Sequence, residues 1–331
     1  MDAAATSLPT GQVTTQQRVE AVRARDLRIS ARLITQAENN DTAIRPVLQA
    51  LYSHGGHARV IGVTGPPGAG KSTLVDQLVG HYRQQRLSVA VLAVDPSSPL
   101  SGGAVLGDRL RMSRHDTDPE VFIRSMATRG VLGGLSKAVG DALTVLDAMG
   151  WDVIIVETVG VGQSEMDIVR HTSCILLLQT ALSGDVVQIA KAGILEVGDI
   201  FVVNKADVAG SDRMINALNE MIGNRPDHGD AEAWQPAVVK TEAVSGKGID
   251  ELAAEIDRRF DFLRDHPDAA KAQRIAQLRA RALEIAKDLV HRRIDDQLDN
   301  GKDVEQHLDD VLARKADPYA FAQALLGRLD S

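Results

Sequence analysis

The fold of this chain is decided by one stretch of sequence, Gly65-Pro66-Pro67-Gly68-Ala69-Gly70-Lys71-Ser72. It follows an apolar run, Val60–Val63, and precedes residues whose apolar side chains recur at helical spacing. Glycines let backbone N–H groups close around phosphate oxygens, and the N-terminus of the next helix adds its positive dipole end. The stretch is a complete P-loop between a strand and a helix, so it predicts a site for nucleotide phosphates.

The side chains of the loop have separate predicted roles. Lys71 would neutralise the β- and γ-phosphates, and the hydroxyl of Ser72 would bind Mg²⁺. Thr73 would touch the region of the α-phosphate. The predicted nucleotide-binding positions here are Gly65, Pro66, Pro67, Gly68, Ala69, Gly70, Lys71, Ser72 and Thr73.

Apolar runs on both sides of the loop predict the rest of the sheet. Helical stretches separate most of these runs, which favours an α/β fold with a predominantly parallel sheet flanked by helices. Ligands are then expected at the carboxyl ends of the strands. After Val60–Val63, the predicted strands are Val89–Val94, Val121–Ile123, Val153–Val156, Ile175–Leu178, Phe201–Val203 and Val238–Val239.

The sheet-forming part is predicted to span residues 58–262, between two helical extensions. Residues 1–57 have a helical pattern with a break at Asn39-Asn40-Asp41. In 263–331 a heptad-like seam runs along one long helix, and Asp317-Pro318 predicts the start of a later helix. The seam alone is equally consistent with a helical cap on the sheet and with a dimerisation arm. Its apolar positions are Ile275, Leu278, Ala282, Ile285 and Leu289.

Charge and composition narrow the classes of function. Among 331 residues, 37 are Lys or Arg and 45 are Asp or Glu, giving a net charge of −8. This disfavours nucleic acid as a partner. The one cysteine, Cys174, can form neither an internal disulfide nor a multi-cysteine metal site. With no signal-peptide pattern and no apolar stretch of ~18 residues, we expect a cytoplasmic protein without a membrane span.

Asn204-Lys205-Ala206-Asp207 directly follows a predicted strand and indicates which base is bound. A carboxylate only accepts hydrogen bonds, so Asp207 can receive both N1–H and the exocyclic amine of guanine. Asn204 fits as a contact to purine N7, and the stem of Lys205 can cover the base. The motif therefore predicts GTP rather than ATP. A loop after the last strand, Ser245-Gly246-Lys247, is expected to meet guanine O6 through its backbone.

Three acidic residues are candidates for holding Mg²⁺, which prefers hard oxygen ligands. Asp95 and Glu157 each follow a predicted strand, and Asp108 lies in Gly107-Asp108-Arg109. Such carboxylates can act directly or through water. With Ser72, they form the predicted metal set.

Three stretches together closely resemble the MeaB/ArgK family of P-loop GTPases. They are the P-loop, Val94-Asp95-Pro96-Ser97-Ser98-Pro99 and Glu157-Thr158-Val159-Gly160-Val161-Gly162-Gln163-Ser164-Glu165. The resemblance covers nearly the whole chain. It implies a GTPase chaperone that gates cofactor loading, protection and reactivation of an adenosylcobalamin-dependent acyl-CoA mutase, such as methylmalonyl-CoA mutase. It also implies a homodimer, and the adenosyltransferase of the mutase is a second implied partner.

The resemblance further implies an Mg-GTP site and a third mobile segment. In that site Glu157, Asp95 and Asp108 organise Mg²⁺ and the switches. Catalysis is assigned to Lys71, Glu157 and Asp108, with Gln163. The third segment maps to residues 183–191. Its matching polar positions are Asp185, Gln188 and Lys191.

Catalysis is predicted to be slow in the chain alone. Ras-like GTPases place a water-positioning glutamine directly after the glycine that is Gly160 here, but this chain has Val161. The nearest amide is Gln163, the candidate for that role. No arginine finger is identifiable, although Arg109 and Arg111 lie in the predicted first switch and Arg124 is near it. We therefore expect turnover to rise when a partner reorders the switches.

Two other functions remain open on the sequence. A metal-delivery GTPase for nickel or cobalt enzymes would show Cys/His clusters, whereas Cys174 lies alone in an apolar run and is expected to pack in the core. A kinase, as the older ArgK label suggests, would transfer phosphate to a small molecule or protein.

Overall fold

The computed structural model describes residues 13–95, 112–127, 134–158, 160, 171–181, 197–225, 229–230, 232–300 and 304–327. The described strands are β1 (Arg59–Thr64), β2 (Val89–Asp95), β3 (Val121–Ala127), β4 (Val153–Thr158), β5 (Cys174–Gln179), β6 (Ile200–Asn204) and β7 (Ala237–Thr241). The described α-helices are α1 (Thr15–Arg23), α2 (Leu27–Glu38), α3 (Arg45–Tyr52), α4 (Lys71–Gln84), α5 (Gly134–Ala148), α6 (Ser211–Gly223), α7 (Ile249–Asp265), α8 (Pro267–Asn300), α9 (Val304–Leu312) and α10 (Pro318–Gly327).

The strands form one sheet in the order β3-β2-β4-β1-β5-β6-β7, and all their pairings are parallel. The predicted fold is therefore confirmed. β1 lies between β4 and β5, where the strand order reverses, so the loop after β1 opens into the crevice at the carboxyl ends. Several strands extend past their predicted ends, since polar residues such as Asp95, Thr158 and Asn204 still pair in the ladder.

The N-terminal helices cover one face of the sheet. Leu33 and Leu51 pack in one core with Leu146 of α5 and Val156 of β4. The sequence predicted one break in this helical region, and the structure has a second break between α1 and α2. There Arg25 adopts a φ of 58°, and Asp26 caps α2 by accepting from the N–H groups of Arg28 and Ile29.

The other face of the sheet is covered by α4 and α7, whereas α6 packs on the first face, against Phe201 of β6. Leu74 and Leu78 of α4 pack with Ile256 of α7 and with Cys174 of β5. Cys174 is fully buried, as expected, and burial raises the pKa of its thiol. Cys174 is therefore a core residue rather than a metal ligand.

The chain forms two compact units, residues 1–274 and 275–331. The second unit holds most of α8, with α9 and α10. Asp317 caps α10 as predicted, accepting from the N–H groups of Tyr319 and Ala320. The boundaries 1–57, 58–262 and 263–331 stay predictions. No helix in the described part of the chain is both long and apolar enough to cross a membrane.

Candidate nucleotide site

The P-loop connects β1 to the N-terminus of α4, and two of its glycines are sterically required. Gly65 has a φ of 154°, and a Cβ atom there would lie 2.6 Å from the carbonyl oxygen of Leu178. Gly70 has a φ of 92°, and its Cβ would collide with the side-chain amide nitrogen of Asn204. The loop therefore keeps a tight path that points the first turn of α4 into the crevice.

Lys71, the first residue of α4, is folded back over this loop. Its Nζ donates to the carbonyl oxygens of Gly65 at 2.8 Å and of Pro66 at 3.1 Å, and the residue is only 6% exposed. The ammonium group thus lies inside the concavity. A phosphate placed there would find a buried cation next to the dipole of α4.

Ser72 and Glu157 form a buried polar pair beside the loop. The Ser72 hydroxyl lies 2.7 Å from Oε1 of Glu157, and the two residues are 5% and 3% exposed. Glu157 is held in β4 by pairing with Val63 of β1 and Ala93 of β2. A hydroxyl and a carboxylate are both hard oxygen donors, so the pair fits Mg²⁺.

The remaining predicted metal ligands are less fully described. Asp95 ends β2, but its side chain and the whole of Asp108 lie outside the described residues. Among the described residues, no three His, Cys, Asp or Glu side chains form a group that could hold a metal ion.

Asn204 joins the P-loop to the end of β7. Its Nδ2 donates to the carbonyl oxygen of Ala69 at 2.8 Å. Its Oδ1 accepts from the hydroxyl of Thr241 at 3.0 Å and from the N–H of Ala243 at 3.1 Å. The residue is 2% exposed, so its observed role is to brace the loops. Thr241 and Ala243 were not predicted from the sequence, although Thr241 lies two residues past a predicted strand.

The rest of the predicted guanine motif lies at the same edge of the sheet. Lys205 has a φ of 56° directly after β6, and Asp207 is exposed. The backbone N–H of Ala243, just after β7, donates to the side chain of Asn204. Both strand ends thus lie beside the P-loop.

Ser245, Gly246 and Lys247 fold back on Glu242. The N–H of Ser245 donates to the Glu242 carbonyl at 3.0 Å, and Lys247 Nζ lies 2.9 Å from the Glu242 carboxylate. The hydrogen bond from Lys247 lowers the pKa of Glu242. The expected contact of this loop with guanine stays a prediction.

Several sequence-predicted residues lie outside the described part of the chain. They are Asp108, Arg109, Arg111, Val161, Gln163, Asp185, Gln188 and Lys191.

Arg124 is described and is held by α2. Its guanidinium donates to the Ala31 carbonyl, to Thr35 Oγ1 and to Glu38. Its side chain is 18% exposed. These contacts give Arg124 a structural role in joining β3 to α2, not that of an arginine finger.

The parallel sheet, the P-loop at its reversal point and the Asn204–Asp207 loop define a P-loop GTPase. The model of a known family, described as methylmalonyl-CoA mutase-associated GTPase MeaB, matches residues 30–300. The chain therefore belongs to the MeaB family of GTPases.

Similar proteins agree with this assignment. A Pyrococcus abyssi protein, provisionally named a GTPase, is 44% identical over 308 residues, covering 93% of this chain and 94% of its own. GTPase ArgK of Escherichia coli is 40% identical over 212 residues, 62% of each chain. The mouse mitochondrial methylmalonic aciduria type A homolog is 38% identical over 199 residues, 58% of this chain and 46% of its own.

A solved structure, named LAO/AO transport system kinase, has the same fold. It covers 98% of this chain and 100% of its own, with a TM-score of 0.65 and 25% identity.

Proposed function

We propose that this GTPase is a chaperone of an adenosylcobalamin-dependent acyl-CoA mutase such as methylmalonyl-CoA mutase. In this role GTP hydrolysis gates cofactor loading and the protection and reactivation of the mutase. The family match over residues 30–300 carries the proposal, since the family's name links these GTPases to that mutase. The name of the mouse relative points to the same metabolism.

The nucleotide would bind across the carboxyl ends of β1, β4 and β6. The P-loop, with Lys71, would hold the β- and γ-phosphates, and Asp207 would select guanine. Ser72 and Glu157, with Asp95 and Asp108, would hold Mg²⁺, which neutralises phosphate charge when bound. The buried Ser72–Glu157 pair beside the P-loop supports this arrangement.

Hydrolysis would follow in-line attack of water on the γ-phosphate, with Gln163 as the candidate for positioning that water. We infer slow turnover in the chain alone and faster turnover with the mutase. Asp185, Gln188 and Lys191 would respond to the nucleotide. A nucleotide-dependent change in such loops is sufficient to gate a partner.

We further propose that the protein works as a cytoplasmic homodimer through its C-terminal helices. The adenosyltransferase that makes the cofactor is a second proposed partner. Exposed apolar side chains on α8 and α9, among them Leu283 and Leu312, support the dimer.

A cofactor-transfer assay tests the chaperone role. Adenosylcobalamin transfer from the adenosyltransferase to the apo-mutase is followed by absorbance, with this protein and either GTP, GDP or a non-hydrolysable GTP analogue. We expect transfer to depend on which nucleotide is present, and to lose that dependence with Lys71→Ala. Lys271→Ala, an exposed lysine on α8, is the matched control. Transfer identical under all three nucleotides would contradict the proposal.

A kinase is the second candidate, because the similar solved structure is named as one. With GTP labelled at the γ-phosphate, a GTPase releases all the label as inorganic phosphate. Label retained on a small molecule or on a protein would favour the kinase.

A further inference from the structure

Two buried threonines meet where β1 and β4 end. Thr64 is the last residue of β1 and directly precedes the P-loop, and Thr158 is the last residue of β4 and follows Glu157. They are 0% and 1% exposed. The hydroxyl of Thr158 donates to Oγ1 of Thr64 at 2.9 Å. This contact joins the phosphate-binding loop to the strand that carries Glu157.

Both hydroxyls also reach the backbone carbonyl of Gly160, which lies beyond the end of β4. Thr64 donates to this oxygen at 2.7 Å, and Thr158 Oγ1 lies 3.2 Å from it. Each hydroxyl has one hydrogen, so the carbonyl is the final acceptor of a short chain of hydrogen bonds. We call Thr64, Thr158 and the Gly160 carbonyl the threonine clamp.

The threonine clamp fixes a peptide group that no strand pairing fixes. Glu157 still pairs with Val63 of β1, but the β1–β4 ladder ends at that pair. Within the described residues, the contact of Gly160 with β1 is the hydrogen bond from the Thr64 side chain.

In GTPases the segments near the γ-phosphate are ordered by contacts to it and to Mg²⁺, and they are released after hydrolysis. Gly160 lies three residues after Glu157, at the start of such a segment. A backbone group that is held by side chains adds less to the ordering cost of binding. This reduction of the ordering cost applies to GTP, because GDP has no γ-phosphate to contact this side of the site.

We propose that Thr64 and Thr158 are positioning residues that hold the Gly160 peptide ready for the γ-phosphate, and so favour GTP over GDP. The inference rests on the proposed function, in which the P-loop holds the γ-phosphate and Glu157 helps to hold Mg²⁺. It assigns a role to two side chains outside the phosphate, metal and base contacts.

Valine substitutions test the clamp, because valine keeps the shape of threonine and removes the hydroxyl. Either hydroxyl alone still reaches the Gly160 carbonyl, so Thr64→Val and Thr158→Val should each weaken binding of a non-hydrolysable GTP analogue only about two- to threefold. The double variant should weaken it about tenfold or more, beyond the product of the single effects. Affinity for GDP should change less than about twofold.

Matched variants separate positioning from damage to the fold. Thr64→Ser and Thr158→Ser keep the hydroxyls and should restore the GTP-analogue affinity. Thr144→Val removes a buried hydroxyl of α5, which donates to the Gly140 carbonyl at 3.0 Å, and should leave both affinities unchanged. If the double variant does not fold, Thr64→Val and Thr64→Ser are compared instead. Their affinities for the GTP analogue and for GDP then provide the test.

Two results would overturn the inference: equal losses of GDP and analogue affinity, or analogue binding that is unchanged or tighter. The variant Lys71→Ala distinguishes failure of the threonine clamp from failure of the proposed phosphate site. If Lys71→Ala weakens both nucleotides while the valine variants do not discriminate, only the clamp is wrong. If Lys71→Ala binds both nucleotides normally, the phosphate site itself is misplaced.

Discussion

Single residues at this site connect several elements at once. The side chain of Asn204 bonds the backbone of Ala69 and of Ala243, together with the hydroxyl of Thr241. One amide therefore sets the spacing between the P-loop and the end of β7. Its second Nδ2 hydrogen is the one that could meet a purine base. Bracing and base contact are thus compatible functions of the same residue.

Replacing Asn204 should destabilise the whole site. Asn204→Ala removes the partners of a buried carbonyl, hydroxyl and N–H, so we expect a loss of about 2–4 kcal/mol in the free energy of unfolding. Urea denaturation measures it. Asn219→Ala, an exposed asparagine on α6, is the control and should lie within about 0.5 kcal/mol of the wild type. An equal, small change in both variants would mean that Asn204 does not brace the loops.

Asp207→Asn should change base selection without unfolding the protein, because the residue is exposed. An amide can donate to the 2-oxo group of xanthine, whereas a carboxylate matches the donors of guanine. We expect the preference for GTP over XTP to fall about tenfold or more. Competition binding measures this ratio, and Asp212→Asn, a nearby exposed carboxylate, should not change it. An unchanged ratio in Asp207→Asn would refute the assignment of the guanine motif.

At the scale of elements, hydrophobic patterning predicted the strands, the helical stretches between most of them and the two helical extensions. It did not predict the break at Arg25, because that break depends on distant partners. The Arg25 guanidinium binds Glu120, Ser88 and the Met149 carbonyl. The role of Arg124 was equally hidden, since its three acceptors lie on α2. Contacts between residues so far apart in the chain leave no local sequence pattern.

A buried ion pair joins β5, β6 and α7. Asp199 lies 3.0 Å from the Arg259 guanidinium and accepts from the N–H of Ile175 at 2.8 Å. Burial raises the pKa of Asp199 from 3.8 to about 6, with Arg259 and the Ile175 N–H opposing the rise. The neutral carboxyl is therefore favoured more in the folded protein than in the unfolded chain, and the ion pair forms above about pH 6. The stability that the raised pKa of Asp199 contributes is fully present below about pH 4. It is lost as the pH rises through about 6.

The pH dependence of unfolding tests this pair. From pH 4.5 to 7.5, the wild type should lose stability relative to Asp199→Asn by about 2 kcal/mol, because the neutral amide does not titrate. The slope with pH carries the test, since the unpaired Arg259 adds a constant offset. Denaturant unfolding at four pH values measures the slope. If the free energies of unfolding of the wild type and Asp199→Asn change with pH in parallel, Asp199 has an ordinary pKa.

At the scale of the molecule, a net charge of −8 coexists with a phosphate site. In the proposed site the P-loop and the buried Lys71 would supply the positive field, so the rest of the surface need not be basic. The second unit differs in character from the first. Its helices expose Leu283 to 56%, Leu312 to 82% and Tyr319 to 84%. Exposed apolar side chains in this number are typical of an interaction surface.

Oligomeric state tests the proposed use of that surface. Light scattering should give twice the chain mass for the wild type and a smaller mass for Leu283→Asp/Leu312→Asp, because buried carboxylates oppose association. Tyr52→Asp, an exposed apolar residue on α3, is the control and should stay dimeric. A wild type that is monomeric at micromolar concentration would refute the dimer.

The most decisive test of the chaperone role is GTP turnover by the full chain, with and without an adenosylcobalamin-dependent acyl-CoA mutase. We expect slow phosphate release from the chain alone, a rise of about tenfold or more with the mutase, and no rise with Lys71→Ala. Turnover that is the same with every acyl-CoA mutase tested as without one would contradict the chaperone role.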